Sequence, residues 1–541
     1  MKDISSTGSF IDFTLENFIY VDKTEYIPKL VKLKRVFISR PRRFGKSLTL
    51  DTIATLFETG VEPYFKGTWI YDKWTEPTYP VFRLSFLNLD NSSMDLFKKQ
   101  LNSKITEFAN KISVKGYVEK TEPEDSILSL LEKLEEETRQ IVILIDEYDY
   151  QLTSNINNDE LYKQFQQKIK RIYANIKDKF AIKFLGITSV TRLKDVAIFS
   201  VGSDINDITN ESAFSQLIGF TRDEIKKYYI DYLKLAASYE NKCRVEEVTD
   251  AQIESMLDMM AQNYDGYCFD EDYEKKVFNT WSVNKFFQTM VGKKKVQFGE
   301  YWYDNGGLPS ILVNYLKTHE LNIFEYLDKD KFLKVSSDDF KNPTALTTIN
   351  QNVLMCQTGY LTLRSDLNKT STVALGIPNG EIYKALNRLL ANNIFKGNTD
   401  ITDDYGRSLL EVGTVDDIIN LFNSALNSVS YDNYPIVSES SVQNMLKLYL
   451  LGAHQEVLSE VHEAKGRADL VVNTDNRRIV FEFKYAKNEA EAKSKLSEAV
   501  EQIKTRDYGN ILPKKNELIR IAAVFNADPK VRAFTENQIV P

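Results

Sequence analysis

Cysteine and histidine are scarce in this chain. Its 541 residues include only 3 cysteines and 3 histidines: Cys243, Cys268, Cys356, His319, His454 and His462. The cysteines lack the paired spacing of a disulfide framework or a metal site, and the histidines are too dispersed to ligate zinc together. The sequence therefore argues against a disulfide-stapled secreted domain and against a zinc module, and it favours a reducing, cytoplasmic location.

Long hydrophobic runs are also absent. No stretch approaches the roughly 20 apolar residues that cross a bilayer, and residues 1–6 lack the apolar core of a signal peptide. We therefore expect a soluble protein with no membrane partner. Proline and glycine, at 13 and 22 residues, rarely cluster, so the domains are expected to pack closely.

Positive charge is not in excess either. Lysine and arginine number 69 against 77 aspartate and glutamate, a formal net charge of -8 at pH 7. Broad, sequence-independent adhesion to nucleic acid depends on lysine and arginine neutralising phosphates, and this balance argues against it. Hydrophobic residues make up 43% of the chain and aromatic residues 12%, which indicates a folded protein with room for about three or four domains.

The most informative feature that the sequence does contain is a candidate phosphate-binding loop. Residues 36–38 form a short apolar stretch, residues 47–57 repeat apolar residues at helical spacing, and Arg-Pro-Arg-Arg-Phe-Gly-Lys-Ser occupies positions 40–47 between them. Backbone N–H groups at such a junction, together with Lys46 and the helix dipole, suit the phosphates of a nucleotide. The usual loop has glycine where this chain has Arg40, and an ordinary strand-to-helix turn is the alternative for a bare Gly-Lys-Ser.

An acidic strand end supports the nucleotide interpretation. Residues 141–145 are continuously apolar and are followed by Asp146 and Glu147, as expected of a buried parallel strand whose C-terminal end faces a ligand. In a P-loop enzyme Asp146 holds Mg2+ together with Ser47, and Glu147 orients and polarises the attacking water. A solvated acidic turn after a buried strand is the alternative.

Two further strands complete the predicted sheet. Residues 79–86 and 180–189 read as strands that come before and after the acidic strand. ATPases with a catalytic glutamate insert a strand between the first strand and the acidic one, and they place a polar γ-phosphate sensor at the tip of the following strand. Thr188 or Ser189 is the candidate sensor, and a turn or capping role is the alternative for both.

The predicted nucleotide site thus draws on the loop and on two strand ends. Its cofactor-binding residues are Arg42, Arg43, Phe44, Gly45, Lys46, Ser47, Leu48, Asp146 and Thr188. Arg192 and Arg222 are candidates for contacting the γ-phosphate, in cis or from a neighbouring subunit of a homo-oligomer, and a salt bridge is the alternative for each. The expected cofactors are ATP and Mg2+.

Two acids and a lysine stand on a predicted hairpin near the C-terminus. Residues 466–472 predict a strand that carries Asp469, residues 473–478 are polar turn material, and residues 479–484 predict a second strand. Because side chains alternate along a strand, Glu482 and Lys484 project to the same face. If the strands pair, Asp469 lies close to Glu482, and the two carboxylates make a Mg2+ site beside Lys484.

This arrangement suits phosphodiester hydrolysis. Magnesium bound through oxygen ligands keeps several waters and presents one of them to the scissile phosphate. Lys484 would position or activate that water and offset the growing negative charge. Alternating apolar and charged residues are also what any half-exposed strand shows, so Phe-Glu-Phe-Lys is weak evidence without the acid that precedes it.

The chain resembles the AAA-ATPase-like family of prokaryotic proteins whose C-terminal domain is a PD-(D/E)XK nuclease. The loop at 40–47, residues 20–24 before it and residues 145–149 after it carry the resemblance. In that family this loop is the usual form, so Arg40 is a family trait. Further matches follow at 219–224, 264–269, 357–361 and 376–381, so the resemblance covers nearly the whole length and implies ATP-dependent P-loop chemistry coupled to a nuclease-like domain.

The resemblance also suggests residues around the C-terminal site. Glu456, Glu460 and Glu463 precede the hairpin, and register with the family's glutamate before Gly-Arg-x-Asp selects Glu460 as a third metal ligand. The predicted helix over 489–506 contains Gln502 and is followed by Tyr508. Both are family positions, and a capping or packing contact is the alternative for each.

The predicted fold class is multidomain α/β. An AAA-ATPase-like P-loop domain with a parallel sheet and helices on both faces is expected over 1–215, and a helical lid or winged-helix-like region over 216–380. A helical connector is expected over 381–432, followed by a PD-(D/E)XK domain of the restriction-endonuclease-like α/β class over 433–541.

Two hypotheses of function remain. The leading one is a cytoplasmic ATPase fused to a Mg2+-dependent nuclease, in which nucleotide state controls access to nucleic acid, with DNA preferred over RNA. Its catalytic residues and metal ligands are Glu147, Asp469, Glu482, Lys484, Ser47, Asp146 and Glu460. The alternative is a nucleotide-switched regulatory or scaffold protein whose C-terminal domain binds nucleic acid or protein without cutting it.

Overall fold

The structure is a computed structural model that divides into two compact units. The first unit is Met1–Leu321 with Phe332–Ile382, and the second is Asn322–Lys331 with Tyr383–Pro541. The described residues are 1–193, 204–302, 310–316, 319, 323–343, 345–346, 348–395, 405–453, 455–463, 466–510 and 514–541. The four domain boundaries expected from the sequence stay predictions.

A five-stranded parallel sheet underlies the first unit. Its strands are β1 (Arg35–Ser39), β2 (Val81–Ser85), β3 (Ile141–Asp146), β4 (Ile182–Ser189) and β5 (Asn206–Asp207). Their spatial order is β2-β3-β4-β1-β5, and every neighbouring pair is parallel. The order places β4 between β1 and β3, so the C-terminal ends of these three strands meet at one edge, where ligands of such sheets bind.

Helices pack with this sheet and dominate the middle of the chain, as predicted. Those described before β6 are α1 (Phe10–Leu15), α2 (Ile27–Leu33), α3 (Lys46–Thr59), α4 (Met94–Lys111), α5 (Pro123–Glu136), α6 (Tyr150–Ser154), α7 (Asp159–Ile176), α8 (Arg222–Tyr228), α9 (Ile230–Asn241), α10 (Asp250–Tyr264), α11 (Thr280–Lys293) and α12 (Ser310–Leu316). The parallel sheet and its helices confirm the expected P-loop NTPase fold.

A small antiparallel sheet completes the first unit. It contains β6 (Leu333–Ser336), β7 (Thr362–Leu363) and β8 (Thr372–Gly376) in the order β6-β8-β7. Helices α13 (Ser337–Lys341) and α14 (Gln351–Thr358) lie between β6 and β7 along the chain. A strand, two helices and a hairpin in this sequence resemble a winged helix.

The second unit is built on a mixed five-stranded sheet. Its strands are β9 (Glu456–Glu463), β10 (Gly466–Asn473), β11 (Arg477–Ala486), β12 (Glu517–Asn526) and β13 (Ala533–Val540), in the order β13-β12-β11-β10-β9. Only the β11–β12 pair is parallel among these strands. The unit's helices are α15 (Gly380–Ile394), which contains the boundary, α16 (Tyr405–Val412), α17 (Val415–Asn427), α18 (Glu439–Gly452) and α19 (Glu489–Arg506). This architecture confirms the predicted nuclease-like α/β domain.

Strand β11 is buried on both faces, which differs from the half-exposed strand that its alternation allows. On one face Val480 packs in a cluster with Ala499 and Ile503 of α19. On the other face the ring of Phe481 lies 5.3 Å from that of Phe422 in α17. The charged residues of β11 therefore enter the interior because a helix covers them. Among the described residues, no helix combines the length and the apolar character needed to cross a membrane.

Candidate functional sites

The loop between β1 and α3 has the geometry of an anion cradle. Strand β1 ends at Ser39, and α3 begins at Lys46 directly after Gly45. Gly45 caps the helix with a left-handed φ of 104° and offers no side chain to the first-turn N–H groups. No atom lies within 4 Å of the place where a Cβ would stand at Gly45. A ligand can therefore approach the helix N-terminus closely.

The sheet brings the predicted magnesium residues of this site together. The Ser47 hydroxyl donates to Oδ2 of Asp146 over 2.6 Å, and the Thr188 hydroxyl donates to Oδ1 of the same carboxylate. Thr188 reaches it because β4 runs parallel beside β3. Ser189 is buried and donates to the Thr191 carbonyl instead. Of the two sensor candidates, only Thr188 contacts the acidic cluster, and the hydroxyl and carboxylate donors suit Mg2+.

Lys46 is held by its own loop. Its ammonium donates to the carbonyl oxygens of Arg40 at 2.8 Å and Pro41 at 2.9 Å, and the residue is only 6% exposed. Burial lowers the pKa of Lys46, although Asp146 and Glu147 favour its charged form. The two carbonyls occupy donors that the phosphates of a nucleotide would otherwise take.

Glu147 lies at the rim of the same site. It follows β3 with a left-handed φ of 50° and is half-buried, and burial raises the pKa of its carboxyl group. It lines a cavity of about 490 Å³ together with the loop, the N-terminal segment and the 217–220 turn. A volume of this order is typical of pockets for small molecules and cofactors.

Arg40, the departure from the usual loop, is a structural residue. It is 1% exposed, and it donates to the carbonyl oxygens of Ser39 at 2.8 Å and Thr209 at 2.6 Å. Its guanidinium lies 4.1 Å from the ring centroid of Phe269. Burial lowers the pKa of Arg40 to about 9, so the group stays charged at neutral pH. These hydrogen bonds hold the turn at the position where the usual loop has a glycine.

Both arginines proposed from the sequence as γ-phosphate contacts are in ion pairs. Arg192 pairs with Asp207. Arg222 pairs with Glu254 at 2.7 Å and with Asp258 at 2.8 Å. These contacts correspond to the salt-bridge alternative that the sequence left open.

A second candidate site lies on the hairpin of β10 and β11. The register pairs Leu470 with Phe481, so Asp469 stands opposite Glu482, as the sequence predicted for a paired hairpin. Oδ2 of Asp469 accepts a hydrogen bond of 2.8 Å from the Phe483 N–H. Burial raises the pKa of Asp469, and this hydrogen bond opposes the shift.

Glu482 is the most unusual group of this second site. It is fully buried, and its Oε1 accepts a hydrogen bond of 2.9 Å from Lys484. Its Oε2 has no hydrogen-bond partner among the described residues. Burial, with a contribution from the Asp469 charge, raises the pKa of Glu482 to about 7. A buried carboxylate oxygen without a partner fits a cation ligand, because leaving it unpaired costs free energy.

Lys484 joins Glu482 to an acid that the sequence analysis missed. Its ammonium contacts Oε1 of Glu439 at 3.2 Å as well as Glu482. Burial opposes the charge of Lys484, but Glu482 and Glu439 outweigh it and raise the pKa of the lysine. The apolar pattern of residues 442–451 predicts a helix from Val442, but α18 begins three residues earlier, at Glu439. The capping box at Ser438 and Ser441 was the signal that could have located it.

The remaining predicted residues lie around this centre. Glu460 is within β9, and the flanking pairs Ala468 with Val461 and Leu470 with Ser459 place its backbone opposite Asp469; its side chain lies outside the described part of the chain. Gln502 donates a long hydrogen bond of 3.5 Å to the hydroxyl of Tyr508, a packing contact. No group of three or more potential metal ligands is gathered among the residues that the structure describes.

The raised pKa of Glu482 predicts a pH-dependent stability. The folded carboxyl group titrates near 7 and an unfolded one near about 4.3, so the folded state binds more protons between these values. The free energy of unfolding of the metal-free second unit should then fall as pH rises from about 4 to 7. Glu482→Gln cannot ionise, and we expect it to stabilise this unit by about 1–3 kcal/mol at pH 8 but not at pH 4.5.

Hydrogen exchange of the β10–β11 hairpin in EDTA, at matched pH for both proteins, measures this effect. All four tryptophans lie in the first unit at 69, 74, 281 and 302, so tryptophan fluorescence during unfolding serves as the internal control and should be unchanged. Equal protection of the hairpin in both proteins at pH 8 would contradict the prediction.

Comparison with known proteins agrees with the division of the chain into two units. Residues 5–199 match the family described as predicted AAA-ATPase, and residues 437–535 match the PD-(D/E)XK nuclease superfamily. A protein of Azotobacter chroococcum mcd 1, described as an uncharacterized protein in the vnfD 5′ region, is 25% identical over 530 residues, which is 95% of this chain and 94% of the relative.

Among solved structures, the chain is similar to a Walker-type ATPase of Pyrococcus abyssi, with 11% identity, a TM-score of 0.36 and coverage of 67% of this chain and 94% of that one. It is also similar to ORC1 of Aeropyrum pernix, solved in complex with DNA, with 10% identity, a TM-score of 0.27 and coverage of 71% and 97%. The two family matches show that the chain joins an AAA-ATPase-like domain to a domain of the PD-(D/E)XK nuclease superfamily.

Proposed function

We propose that this protein binds and hydrolyses ATP in its first unit and cleaves nucleic acid, DNA in preference to RNA, in its second, with nucleotide state controlling cleavage. The observation that carries the nuclease proposal is the buried carboxylate of Glu482, which has Lys484 on one oxygen and no protein partner on the other among the described residues. In a site with only a structural role, a buried carboxylate oxygen is expected to have a hydrogen-bond partner.

The roles in the second unit follow from these contacts. Asp469 and Glu482 would hold a divalent cation, with Glu460 as a third ligand, and the bound cation supplies an activated water and neutralises charge. Lys484 is held beside Glu482 and keeps its charge, so it suits stabilisation of the phosphorane oxygens. Water attacks the phosphorus and releases a proton to the solvent, the bond to the leaving oxygen breaks with its electron pair, and a proton from the solvent restores the leaving hydroxyl.

The roles in the first unit follow the P-loop pattern. Lys46 and the loop would bind the phosphates of ATP, and Ser47 with Asp146 would hold Mg2+. Thr188 contacts Asp146 and would sense the γ-phosphate through it. Glu147 would accept a proton from the attacking water. A cytoplasmic location and a homo-oligomeric assembly remain part of the proposal.

The test of the combined function is cleavage by the full chain under controlled nucleotide state. We expect Mn2+- or Mg2+-dependent cleavage of DNA, with a rate that differs at least about 5-fold between the ADP-bound wild type and Glu147→Gln with ATP held in place. Matched single-stranded DNA, double-stranded DNA and RNA identify the substrate. Equal rates in both nucleotide states would remove the control by nucleotide and leave the nuclease, whereas binding without cleavage of any substrate would support the scaffold alternative.

A further inference from the structure

The three arginines of the phosphate loop have different surroundings. Arg40 is buried, donates hydrogen bonds to two carbonyl oxygens and contacts the ring of Phe269. The guanidinium of Arg43 lies 4.0 Å from the ring centroid of Trp281. Arg42 is half-buried and has no ion-pair partner among the described residues. It is therefore the one loop arginine whose charge these contacts leave uncommitted.

Arg42 lies beside the proposed catalytic glutamate. Arg42 and Glu147 both line the cavity that contains Lys46 and Ser47. The same two residues also line a small recess together with Asp149. The positive charge of Arg42 opposes the rise in the pKa of Glu147, which indicates that the guanidinium lies close to this carboxyl group.

The charges of the loop also favour an anion next to Arg42. Burial lowers the pKa of Lys46, the charges of the nearby acids Asp146 and Glu147 oppose this shift, and the positive charge of Arg42 adds to it. The pKa of Arg43 is likewise lowered by burial and then by Arg42. Three cations in one short loop repel each other, and a polyphosphate relieves that repulsion.

The backbone of Arg42 is held from the helical middle region of the same unit. Its carbonyl accepts a hydrogen bond of 3.3 Å from the indole N–H of Trp302, a fully buried residue. Pro41, its neighbour, packs against Gly359, where an added Cβ would come within 2.9 Å of the proline ring. A fixed backbone reduces the rotational freedom that an arginine loses when it contacts a transition state.

We propose that Arg42 contacts the γ-phosphate in cis and stabilises the negative charge that develops during hydrolysis, so that this loop supplies its own arginine finger. This inference rests on the proposed ATPase function. In that reaction a water oxygen attacks the γ-phosphorus, and the bond to the β,γ-bridging oxygen breaks with its electron pair moving to the β-phosphate. The water proton passes to Glu147, and ADP and phosphate are the products.

The experiment compares Arg42→Ala, Arg42→Lys and Arg244→Ala in the full chain. ATP affinity is measured by titration in Ca2+ or at low temperature, and hydrolysis by single turnover at saturating ATP with Mg2+. We expect Arg42→Ala to bind ATP within about 3-fold of wild type but to hydrolyse it about 10²–10³-fold more slowly. Arg42→Lys should retain part of the rate because it keeps the charge but loses the planar fork. Arg244→Ala, which removes an exposed ion pair with Glu247, should hydrolyse ATP at the wild-type rate.

Added guanidinium at low millimolar concentration should partly restore hydrolysis in Arg42→Ala, an effect that a structural role would not produce. If Arg42→Ala hydrolyses ATP at the wild-type rate, or loses as much ATP affinity as rate, the proposed role of Arg42 is wrong. The proposed ATPase function is not affected by that result. A wild type that binds ATP but never turns it over overturns the proposed ATPase function, and the role of Arg42 falls with it.

Discussion

Asp469→Asn is expected to reduce metal-dependent cleavage of nucleic acid by about 10²–10³-fold. Asparagine has the same shape and keeps an oxygen for the Phe483 N–H, which Oδ2 of Asp469 accepts at 2.8 Å. It lacks the negative charge that a cation shared with Glu482 requires. The fold should therefore survive while the proposed metal site is lost. Cleavage of a labelled substrate over a range of Mn2+ concentrations measures the loss.

The matched control is Asp475→Asn, in the exposed turn between the same two strands. It removes an equal charge a few residues away and should cleave at the wild-type rate. Lys484→Met is the complementary variant, because it keeps much of the side-chain length while removing the ammonium that contacts Glu482 and Glu439. If Asp469→Asn and Lys484→Met cleave as fast as Asp475→Asn, the hairpin is not the nuclease site.

Lys46→Ala is expected to weaken ATP binding by about 100-fold, or about 2.7 kcal/mol. The ammonium now spans the carbonyls of Arg40 and Pro41 at 2.8 and 2.9 Å, which places it inside the loop where phosphates would lie. Its loss removes both a buried charge and the donors that a phosphate would accept. Isothermal titration, or the ATP-dependent rise of the melting temperature reported by tryptophan fluorescence, measures the change.

Lys32→Ala is the control for this variant, because Lys32 is an exposed lysine in α2 of the same unit. Its ATP affinity should equal that of the wild type. An unaltered melting temperature of Lys46→Ala without nucleotide would show that the loop still folds. Retained ATP affinity in Lys46→Ala would argue that the loop is only a strand-to-helix turn.

Helix ends marked by local signals were the most predictable parts of the fold. Apolar residues at helical spacing predict a helix over 250–264, as over 489–506, and the structure has α10 as Asp250–Tyr264 and α19 as Glu489–Arg506. The side chains of Thr249 and Asn488 cap the first turn of each. Capping and periodicity depend on neighbours within a few residues, so the sequence suffices to locate them.

Elsewhere, tertiary packing broke a helix that the hydrophobic periodicity predicts as continuous. Residues 221–224 resemble a capped helix start and the apolar residues of 225–235 continue it, which predicts one helix, but the chain forms α8 and α9 with a break at Tyr229. The ring of Tyr229 stacks on Phe287 at 5.3 Å, and its hydroxyl donates to Asn284 at 2.6 Å. These partners lie about 55 residues away in the chain, so helical periodicity could not reveal them.

The proposed sites were also predictable only in part from the sequence. Residue types and spacing located the loop at 40–47, the acids after β3 and the hairpin acids, because each motif is a short segment with a strand or helix next to it. The partners across those segments were not visible: Thr188 on Asp146, Glu439 on Lys484 and Arg42 beside Glu147. Such pairs depend on strand order and on which helix covers a sheet face.

The order of residues along the chain was therefore enough to specify the two kinds of domain and many of the strands and helices that build them. The folded chain alone decided that Arg40 is sealed inside while Arg42 stays available, and that Glu482 is buried with one oxygen unpaired. The physical reason is that burial, and with it the raised pKa of Glu482, comes from segments far apart in the chain that meet only when both faces of a sheet are covered.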